Sequence, residues 1–421
     1  MTTTTQPKTQ SASLHMVALV VALFFIWGFS TVLVDSLIPR LKAMFTLSYA
    51  EVMLSQFAFF LAYLIFSIPA GRVLERLGYM RGIVAGLAVM AIGGLMFSPA
   101  ASLGIFPLFL VALFVLASGI TMLQVAANPL MANIGGAGSS SWRLTLAQAF
   151  NSFGTFVGPY VGATIILSGS LTAPDPKTTA PDMMAAFRTQ EAHAVQLPFV
   201  GIAVVLLILA AIFWAVRNWP GAPGVEPART HYSTLGLLKA YPGLALGCVS
   251  IFVYVGCEVT IGSFMTNYLM QPDRLALVAA QAGKLVSFYW GGAMVGRFIG
   301  SYVLSKVTPG LVLTGCAVTA SLLVVISTMT GGHVSAYTII AVGLFNSNMF
   351  PTIFSLGIAG LGKDTPQASA LLCTAIVGGA VIPPTTGLLA DHLGLATALL
   401  LPALGYVWIA IYGVMSRRVA S

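Results

Sequence analysis

Twelve apolar stretches, each about long enough to cross a bilayer, divide this chain of 421 residues. A membrane-spanning helix needs about 20 mainly apolar residues. Of all residues 58% are hydrophobic and only 7% are charged, whereas a soluble domain is roughly 25% charged. The sequence therefore predicts an all-α integral membrane protein with twelve transmembrane helices. We number them spans 1 to 12, and they centre near Gly28, Tyr63, Val89, Val115, Thr155, Leu207, Val255, Trp290, Val318, Phe345, Val377 and Ile409.

The chain divides into two halves of six spans. A polar stretch rich in Pro and Gly, residues 217–239, is predicted to be a cytoplasmic linker between bundles at residues 16–216 and 240–416, with a disordered cytoplasmic tail at residues 1–15 and a second tail at 417–421. The halves also repeat each other at a shift of 225 residues, which indicates a parallel duplication around a central transport site. The matching pairs are Gly71 with Gly296, Arg72 with Arg297, Gly154 with Gly379, Pro159 with Pro384 and Gly162 with Gly387.

The distribution of Lys and Arg predicts the orientation. With a cytoplasmic N-terminus, thirteen of the nineteen Lys and Arg residues fall on the inner side, as the positive-inside rule requires. We therefore expect a multi-pass plasma-membrane protein, in a bacterial inner membrane, with both termini cytoplasmic. The net charge of +8 then reflects topology, and no nucleic-acid partner is expected. Four single cysteines, without a C-x-x-C pair, predict neither a disulfide framework nor a structural metal.

Span 1 carries a carboxylate, Asp35, inside an otherwise apolar run. An acidic side chain near the middle of a spanning helix costs about 2.5–3.5 kcal/mol on insertion scales, so it should face a protein interior or a water-filled cavity and mark a substrate or ion pathway. The alternative is a buried Asp bonded only to its neighbours. Glu258 in span 7 is a second deep carboxylate, for which three roles stay open: substrate binding, coupling of a second cation, or an ion pair with Lys284.

Four amide side chains lie at helical spacing in spans 4 and 5. Gln124 and Asn128 share one face of span 4, and Gln148 and Asn151 share one face of span 5. Amides donate and accept hydrogen bonds, which suits neutral hydroxyl groups. The alternative role is hydrogen bonding between helices, at about 0.6 kcal/mol each.

Further candidates lie in spans 1, 8 and 10. Trp27, Tyr289 and Trp290 can stack on a sugar ring or simply pack. Asn346, followed by Pro351, lies in span 10 as Asn128 and Pro129 lie in span 4, so helix-breaking residues in each span either free carbonyls to line a cavity or simply kink the helix. We include Asn346 among the sugar-binding candidates.

The turn between spans 2 and 3 is rich in Gly, Arg and Glu. Arg72, Glu75 and Arg76, beside Gly71, can bond helix ends and each other across a cytoplasmic mouth. Gly296 and Arg297 are the weaker counterpart after span 8. The pattern predicts a cytoplasmic gate, and the alternative is an ordinary positive-inside loop.

This turn resembles the signature of the major facilitator superfamily, with Glu75 where Asp is commoner. The runs Phe24-Phe-Ile-Trp-Gly-Phe29, Leu123-Gln-Val-Ala-Ala-Asn-Pro129, Arg143 to Gly154 and Tyr289 to Arg297 are similar to the fucose and glucose/galactose permeases. That resemblance implies that Asp35 is the protonated carboxyl and that Gln148 and Asn151 contact sugar. Gln124 stands where fucose permeases carry an acidic residue, which favours the glucose/galactose branch.

We therefore predict a secondary transporter that imports a neutral hexose, glucose or galactose, by proton symport with alternating access. The coupling ion is a proton, with sodium left open, and no cofactor or metal is expected. We expect a monomer whose partners are a small neutral sugar and the lipid bilayer. Rival functions are a sodium-coupled sugar carrier, a fucose or N-acetylglucosamine permease, and a drug/proton antiporter. No nucleophile motif or His–carboxylate set indicates an enzyme, and no repeated selectivity loop indicates a channel.

Overall fold

The computed structural model describes residues 14–133, 140–167, 179–218, 234–304, 306–359, 361 and 364–416. Most of the two predicted tails and of the linker, residues 1–13, 219–233 and 417–421, therefore lies outside the described residues. Every regular element in the described part is helical.

The first six spans begin with a long helix in span 1 that also contains Pro39. Spans 2 and 3 form one continuous helical element that is interrupted only at Gly78, whose φ of 75° suits glycine. The bounds are Leu14–Phe45 for span 1, Tyr49–Leu103 for spans 2 and 3 together, Phe106–Asn133 for span 4, Ser140–Ile165 for span 5 and Pro181–Ala215 for span 6.

The second six spans follow a short helix, Thr234–Ala240. Their bounds are Pro242–Leu269 for span 7, Ala279–Leu304 for span 8, Pro309–Met329 for span 9, Gly332–Asn346 and Met349–Ile358 for span 10, Thr365–Thr374, Ala375–Val377 and Gly378–Leu393 for span 11, and Leu395–Ala398 and Leu400–Ser416 for span 12. The helix of span 10 is interrupted at Ser347. Pro351, four residues later, has no N–H to donate to the Ser347 carbonyl, and its ring clashes with that carbonyl. Span 4 continues through Pro129 without a break, so the predicted interruption occurs only in span 10.

Ten of the described helical stretches are long and apolar enough to cross a membrane by length and composition. The other two are spans 5 and 8, which contain polar side chains such as Gln148, Lys284 and Arg297 and pack against each other between the two bundles. A polar helix is tolerated in a membrane protein where protein rather than lipid surrounds it.

Two local features stabilise the first bundle. The predicted capping box opens span 2, where the Glu51 amide donates to Ser48 Oγ at 3.1 Å and the Ser48 amide donates to the Glu51 carboxylate at 2.8 Å. Arg40 of span 1 also donates to Glu191 of span 6 at 2.7 Å, with both side chains at most 4% exposed. This pair satisfies two buried charges inside one bundle.

The two bundles meet through spans 1 and 7, 2 and 11, and 5 and 8. In span 11 the packing of the two halves corresponds at a shift one residue shorter than the 225 residues of the sequence repeat. Gly154 lies against the backbone of Phe25 in span 1, and its packing equivalent against Phe252 of span 7 is Gly378. Gly379, the sequence match, lies against Phe60 of the other bundle instead. Two adjacent glycines let span 11 approach a helix on each side.

Candidate functional site

Asp35 lies where the two bundles meet. Its Oδ1 accepts a hydrogen bond from Gln56 Nε2 of span 2 at 3.0 Å and another from Ser263 Oγ of span 7 at 2.7 Å. Gln56 Nε2 also donates to Ser263 Oγ at 2.9 Å. We call these three residues the Asp35 junction. The carboxylate is thus held by one donor from each bundle.

A second contact joins the bundles at the same end, where span 1 ends and span 2 begins. The exposed Asp391 carboxylate of span 11 accepts from the backbone amides of Tyr49 and Ala50, at 2.7 and 2.9 Å. These are free amides at the start of span 2, so the carboxylate caps the helix across the bundle interface. The Lys42 ammonium lies over the Tyr49 ring, 4.3 Å from its centroid.

The structure brings two of the four predicted amides together. Gln148 Nε2 of span 5 lies 3.3 Å from Asn128 Oδ1 of span 4, and both side chains are half-buried. Gln124 instead donates to the Tyr63 hydroxyl at 2.7 Å, and Asn151 donates to the Phe24 carbonyl at 3.1 Å. Gln148 and Asn128 therefore form the shared polar face, while Asn151 also serves as the interhelical contact that the sequence left as an alternative.

The second bundle contains a polar cluster around Tyr289, which is fully buried. Asn346 Nδ2 donates to the Tyr289 hydroxyl at 2.8 Å, and that hydroxyl donates to the Glu258 carbonyl at 3.1 Å. Tyr289 is therefore a connector rather than a stacking surface.

The aromatic candidates differ in what they leave available to a ligand. Trp290 packs edge-on against Tyr289, with ring centroids 5.1 Å apart, and stays half-buried. Its indole nitrogen and the Asn346 side-chain oxygen are buried atoms for which the described residues provide no partner. Buried polar atoms of this kind call for a ligand or water. Trp27 is 8% exposed and packs on Phe24, with centroids 5.3 Å apart.

Glu258 is bonded within its own bundle. Its Oε1 accepts from the Tyr254 hydroxyl at 2.6 Å. Lys284 does not pair with it, because the Lys284 ammonium lies over the Tyr160 ring of span 5, 5.2 Å from the centroid. Of the three roles left open for Glu258, the structure does not form the ion pair, so sugar binding and cation coupling remain.

The second-half counterpart of the predicted gate has a different setting. Gly296 lies against Leu344 and Ser347 of span 10, so it permits close packing inside one bundle. Arg297 donates to Ser152 of span 5, next to Asn151, and interacts electrostatically with Glu258. Both residues therefore belong to the central region. In the span 2 to 3 turn Arg76 is exposed, and the side chains of Arg72 and Glu75 lie outside the described residues.

Several residues of the site were not identified from the sequence. Gln56 and Ser263 are ordinary polar residues with no motif, and Ser263 lies 228 positions from Asp35. Ser152 and Tyr63 contact Arg297 and Gln124. The one available signal was helical spacing, since Ser152 is four residues from Gln148.

The geometry matches a known family over nearly the whole chain. The family model described as Major Facilitator Superfamily matches residues 18–374. The chain belongs to the major facilitator superfamily. Within it, the chain is 48% identical over 396 residues to the Glucose/galactose transporter of Brucella abortus biovar 1 (strain 9-941), covering 94% of this chain and 92% of that protein.

Two further matches support the same placement. The chain is 33% identical to the L-fucose-proton symporter of Escherichia coli (strain K12), covering 96% of this chain and 93% of that protein. The crystal structure of the superfamily transporter FucP in the outward conformation superposes with a TM-score of 0.71 at 31% identity, covering 96% and 99% of the two chains. The predicted twelve-helix fold and the resemblance to the fucose and glucose/galactose permeases are confirmed. The relatives are transporters, so the chain is a membrane transporter and not an enzyme.

Proposed function

We propose that this transporter imports a neutral hexose, glucose or galactose, together with a proton. The observation that carries the substrate class is the 48% identity, over nearly the full length of both chains, to a protein named Glucose/galactose transporter. The polar groups fit such a substrate. Neutral amides and hydroxyls exchange hydrogen bonds with sugar hydroxyls without requiring a charged ligand.

Sugar contacts are proposed on both bundles. Gln148 and Asn128 provide the face from the first bundle, with Gln124, Asn151 and Trp27 beside them. In the second bundle, the unpartnered Trp290 nitrogen and Asn346 oxygen are available to a ligand, with Tyr289 holding Asn346 in place. A ligand that bonds both faces favours closure of the bundles around it, which is what alternating access requires.

Asp35 is proposed to carry the proton. A proton that enters through a membrane potential of about 100 mV supplies about 2.3 kcal/mol, enough for a roughly fifty-fold sugar gradient. The loaded carrier should reorient with Asp35 neutral, because closing the bundles over an isolated charge is costly. Glu258 is assigned to the sugar, since its hydrogen-bond partner lies in its own bundle.

The predicted orientation places the Asp35 junction toward one side of the membrane. With cytoplasmic termini in a bacterial inner membrane, the end where span 1 meets span 2 faces outward, so the Asp35 junction and the Asp391 cap close the outer side. We propose that the carrier works as a monomer, since each chain has both bundles.

Substrate and ion are tested together in proteoliposomes that contain the purified carrier. Radiolabelled glucose, galactose, fucose and N-acetylglucosamine are offered under an inward pH gradient or an inward sodium gradient, with ionophore-collapsed gradients as controls. We expect accumulation of glucose and galactose under the pH gradient alone. Accumulation driven only by sodium would establish the sodium-coupled alternative, and accumulation of fucose alone would overturn the hexose assignment.

A further inference from the structure

The Asp35 junction contains a hydroxyl and an amide that no sequence pattern indicated. Ser263 is 1% exposed and Gln56 is 3% exposed, while Asp35 is half-buried. The two donors are thus shielded from solvent, whereas the Asp35 side chain is partly exposed to it.

Every hydrogen that the two donors can provide is directed at the junction. The two Nε2 hydrogens of Gln56 serve Asp35 Oδ1 and Ser263 Oγ, and the single hydroxyl hydrogen of Ser263 serves Asp35 Oδ1. Asp35 accepts both bonds through the same oxygen, Oδ1. Hydrogen bonds to a charged acceptor are roughly twice as strong as those between neutral groups.

The groups that bond Asp35 from spans 2 and 7 are uncharged. Among the described residues, spans 2 and 7 bond Asp35 through the neutral Gln56 and Ser263, and the Tyr289 phenol of span 8 interacts with it electrostatically. A change of charge at Asp35 is therefore felt first by Ser263 and Gln56.

We propose that Ser263 and Gln56 are positioning residues that make the proton occupancy of Asp35 depend on whether the bundles are closed at this junction. Burial of Asp35 as the bundles close favours its neutral form, so the loaded carrier closes with a proton taken up from outside. Once the junction has formed, the hydrogen bonds from Ser263 and Gln56 stabilise the carboxylate and oppose this effect of burial, so the proton can leave. With the orientation proposed above, the proton is bound from outside and released inside, which is the direction that symport requires.

This inference rests on the proposed proton-coupled function, and its test separates the two. Ser263→Ala and Gln56→Leu are compared with wild type in proteoliposomes by pH-gradient-driven accumulation, by sugar exchange without a gradient, and by the pH profile of exchange. Each variant should lower the accumulation ratio by about ten-fold, shift the pH profile, and leave exchange within about two-fold. Ser263→Thr keeps the hydroxyl and should restore both readouts.

Ser250→Ala is the matched control. Ser250 lies in the same helix, is fully buried, and accepts from Trp408 Nε1 inside its own bundle at 3.2 Å. It should leave accumulation and the pH profile unchanged. In an Asp35→Asn background, Ser263→Ala should cause no further change in the pH profile, because the two residues act through one interaction.

The outcomes are distinct. If wild type shows no accumulation under a pH gradient, the proposed function is wrong. If wild type accumulates sugar and both Ser263→Ala and Gln56→Leu accumulate it equally well with an unchanged pH profile, the junction has no coupling role. If Ser263→Ala does not assemble, Gln56→Leu and Ser263→Thr decide the question by the same readouts.

Discussion

The two deep carboxylates of this transporter, Asp35 and Glu258, have opposite relations to the bundle interface. Asp35 accepts from Gln56 in the first bundle and from Ser263 in the second. Glu258 accepts from Tyr254, four residues earlier on the same helix, and the Tyr254 hydroxyl also lies 2.9 Å from the Asn346 carbonyl in that bundle. One acid thus has partners that separate when the bundles move, and the other keeps its partner.

This difference indicates which acid can couple a proton to transport. A group can bias a two-state change only if its interactions differ between the two states. The Asp35 contacts must differ, because rigid-body rotation of the bundles carries Ser263 away from Gln56. Glu258 stays with Tyr254 in both states, so its contribution should fall on ligand affinity rather than on coupling.

The largest effect is expected from Asp35→Asn. The amide resembles the neutral acid in size and charge, so the loaded carrier should still reorient and exchange sugar. It cannot release a proton, so pH-driven accumulation should fall from as much as about fifty-fold to none. Measuring exchange and accumulation in the same vesicles checks both halves of this expectation. Accumulation that persists in Asp35→Asn would place coupling elsewhere, with Glu258 next.

Gln148→Ala should act on binding without touching the junction. Each sugar hydroxyl left without its partner in a dry site costs about 1–3 kcal/mol, so equilibrium binding to the purified variant should weaken by that amount while the proton-to-sugar ratio is kept. We expect the same of Asn151→Ala, with a smaller loss if its contact with the Phe24 carbonyl dominates.

A control for Gln148→Ala lies in the same bundle. Gln196 of span 6 donates to the Ser98 carbonyl and the Ser102 hydroxyl of span 3, at 3.1 and 2.8 Å. Gln196→Ala removes the same amide and should leave sugar affinity unchanged. Equal affinity in Gln148→Ala and wild type would contradict the assignment of the span 4 and 5 amides to the sugar.

Glu258→Gln should have a smaller effect. If Glu258 faces the sugar, loss of its charge should weaken binding a few-fold, roughly 0.5–1 kcal/mol, and pH-driven accumulation at saturating sugar should survive. Tyr254→Phe removes the same hydrogen bond from the other partner and should reproduce the change. A loss of accumulation with normal affinity in Glu258→Gln would reverse the roles of the two acids.

Asp391→Asn should give the smallest change. It weakens the cap on the Tyr49 and Ala50 amides by about 0.5–1 kcal/mol, which slightly favours opening at this end. A cavity of about 360 Å³ lies there, lined by Pro39, Lys42 and Asn267 among others. The alkylation rate of an Asn267→Cys variant should therefore rise about two- to five-fold with Asp391→Asn.

Asp273→Asn controls for the loss of one outer acidic charge. Asp273 is exposed and pairs with Arg274 within its own bundle at 3.4 Å, so it should not change that alkylation rate. If both Asp variants raise the rate equally, surface charge rather than the cap is responsible.

The same contrast explains what the sequence could predict. The Ser48 and Glu51 capping box depends on residues three apart and was predicted correctly. Asp35 stands out because its neighbours are apolar, and the structure places it where the two bundles meet. Ser263 and Gln56 were not predicted, because a contact between bundles joins positions 207 residues apart and no helical periodicity relates them. The sequence left open a pairing of Glu258 with Lys284, but Lys284 lies over the Tyr160 ring of the other bundle, and no helical periodicity relates those two positions either.

Glycines that match in the sequence repeat also have neighbours that the sequence did not predict. Gly296 matched Gly71 in the repeat, yet it packs on span 10, whereas nothing lies close to the missing side chain of Gly71. The apolar stretches predicted twelve helices, and the repeat of residue identity predicted two related halves. The repeat did not predict which neighbour each helix face meets, because small shifts of register between halves change the partner.

The most direct test of the account is the movement of protons themselves. Sugar-induced alkalinisation of a weakly buffered suspension of proteoliposomes, followed with a pH electrode, gives protons taken up per sugar for wild type, Asp35→Asn and Glu258→Gln. The account predicts coupled proton uptake in wild type and in Glu258→Gln at saturating sugar, and none in Asp35→Asn although it still exchanges sugar. Proton uptake with sugar in Asp35→Asn, or its loss in Glu258→Gln alone, would contradict the assignment of coupling to the acid between the bundles.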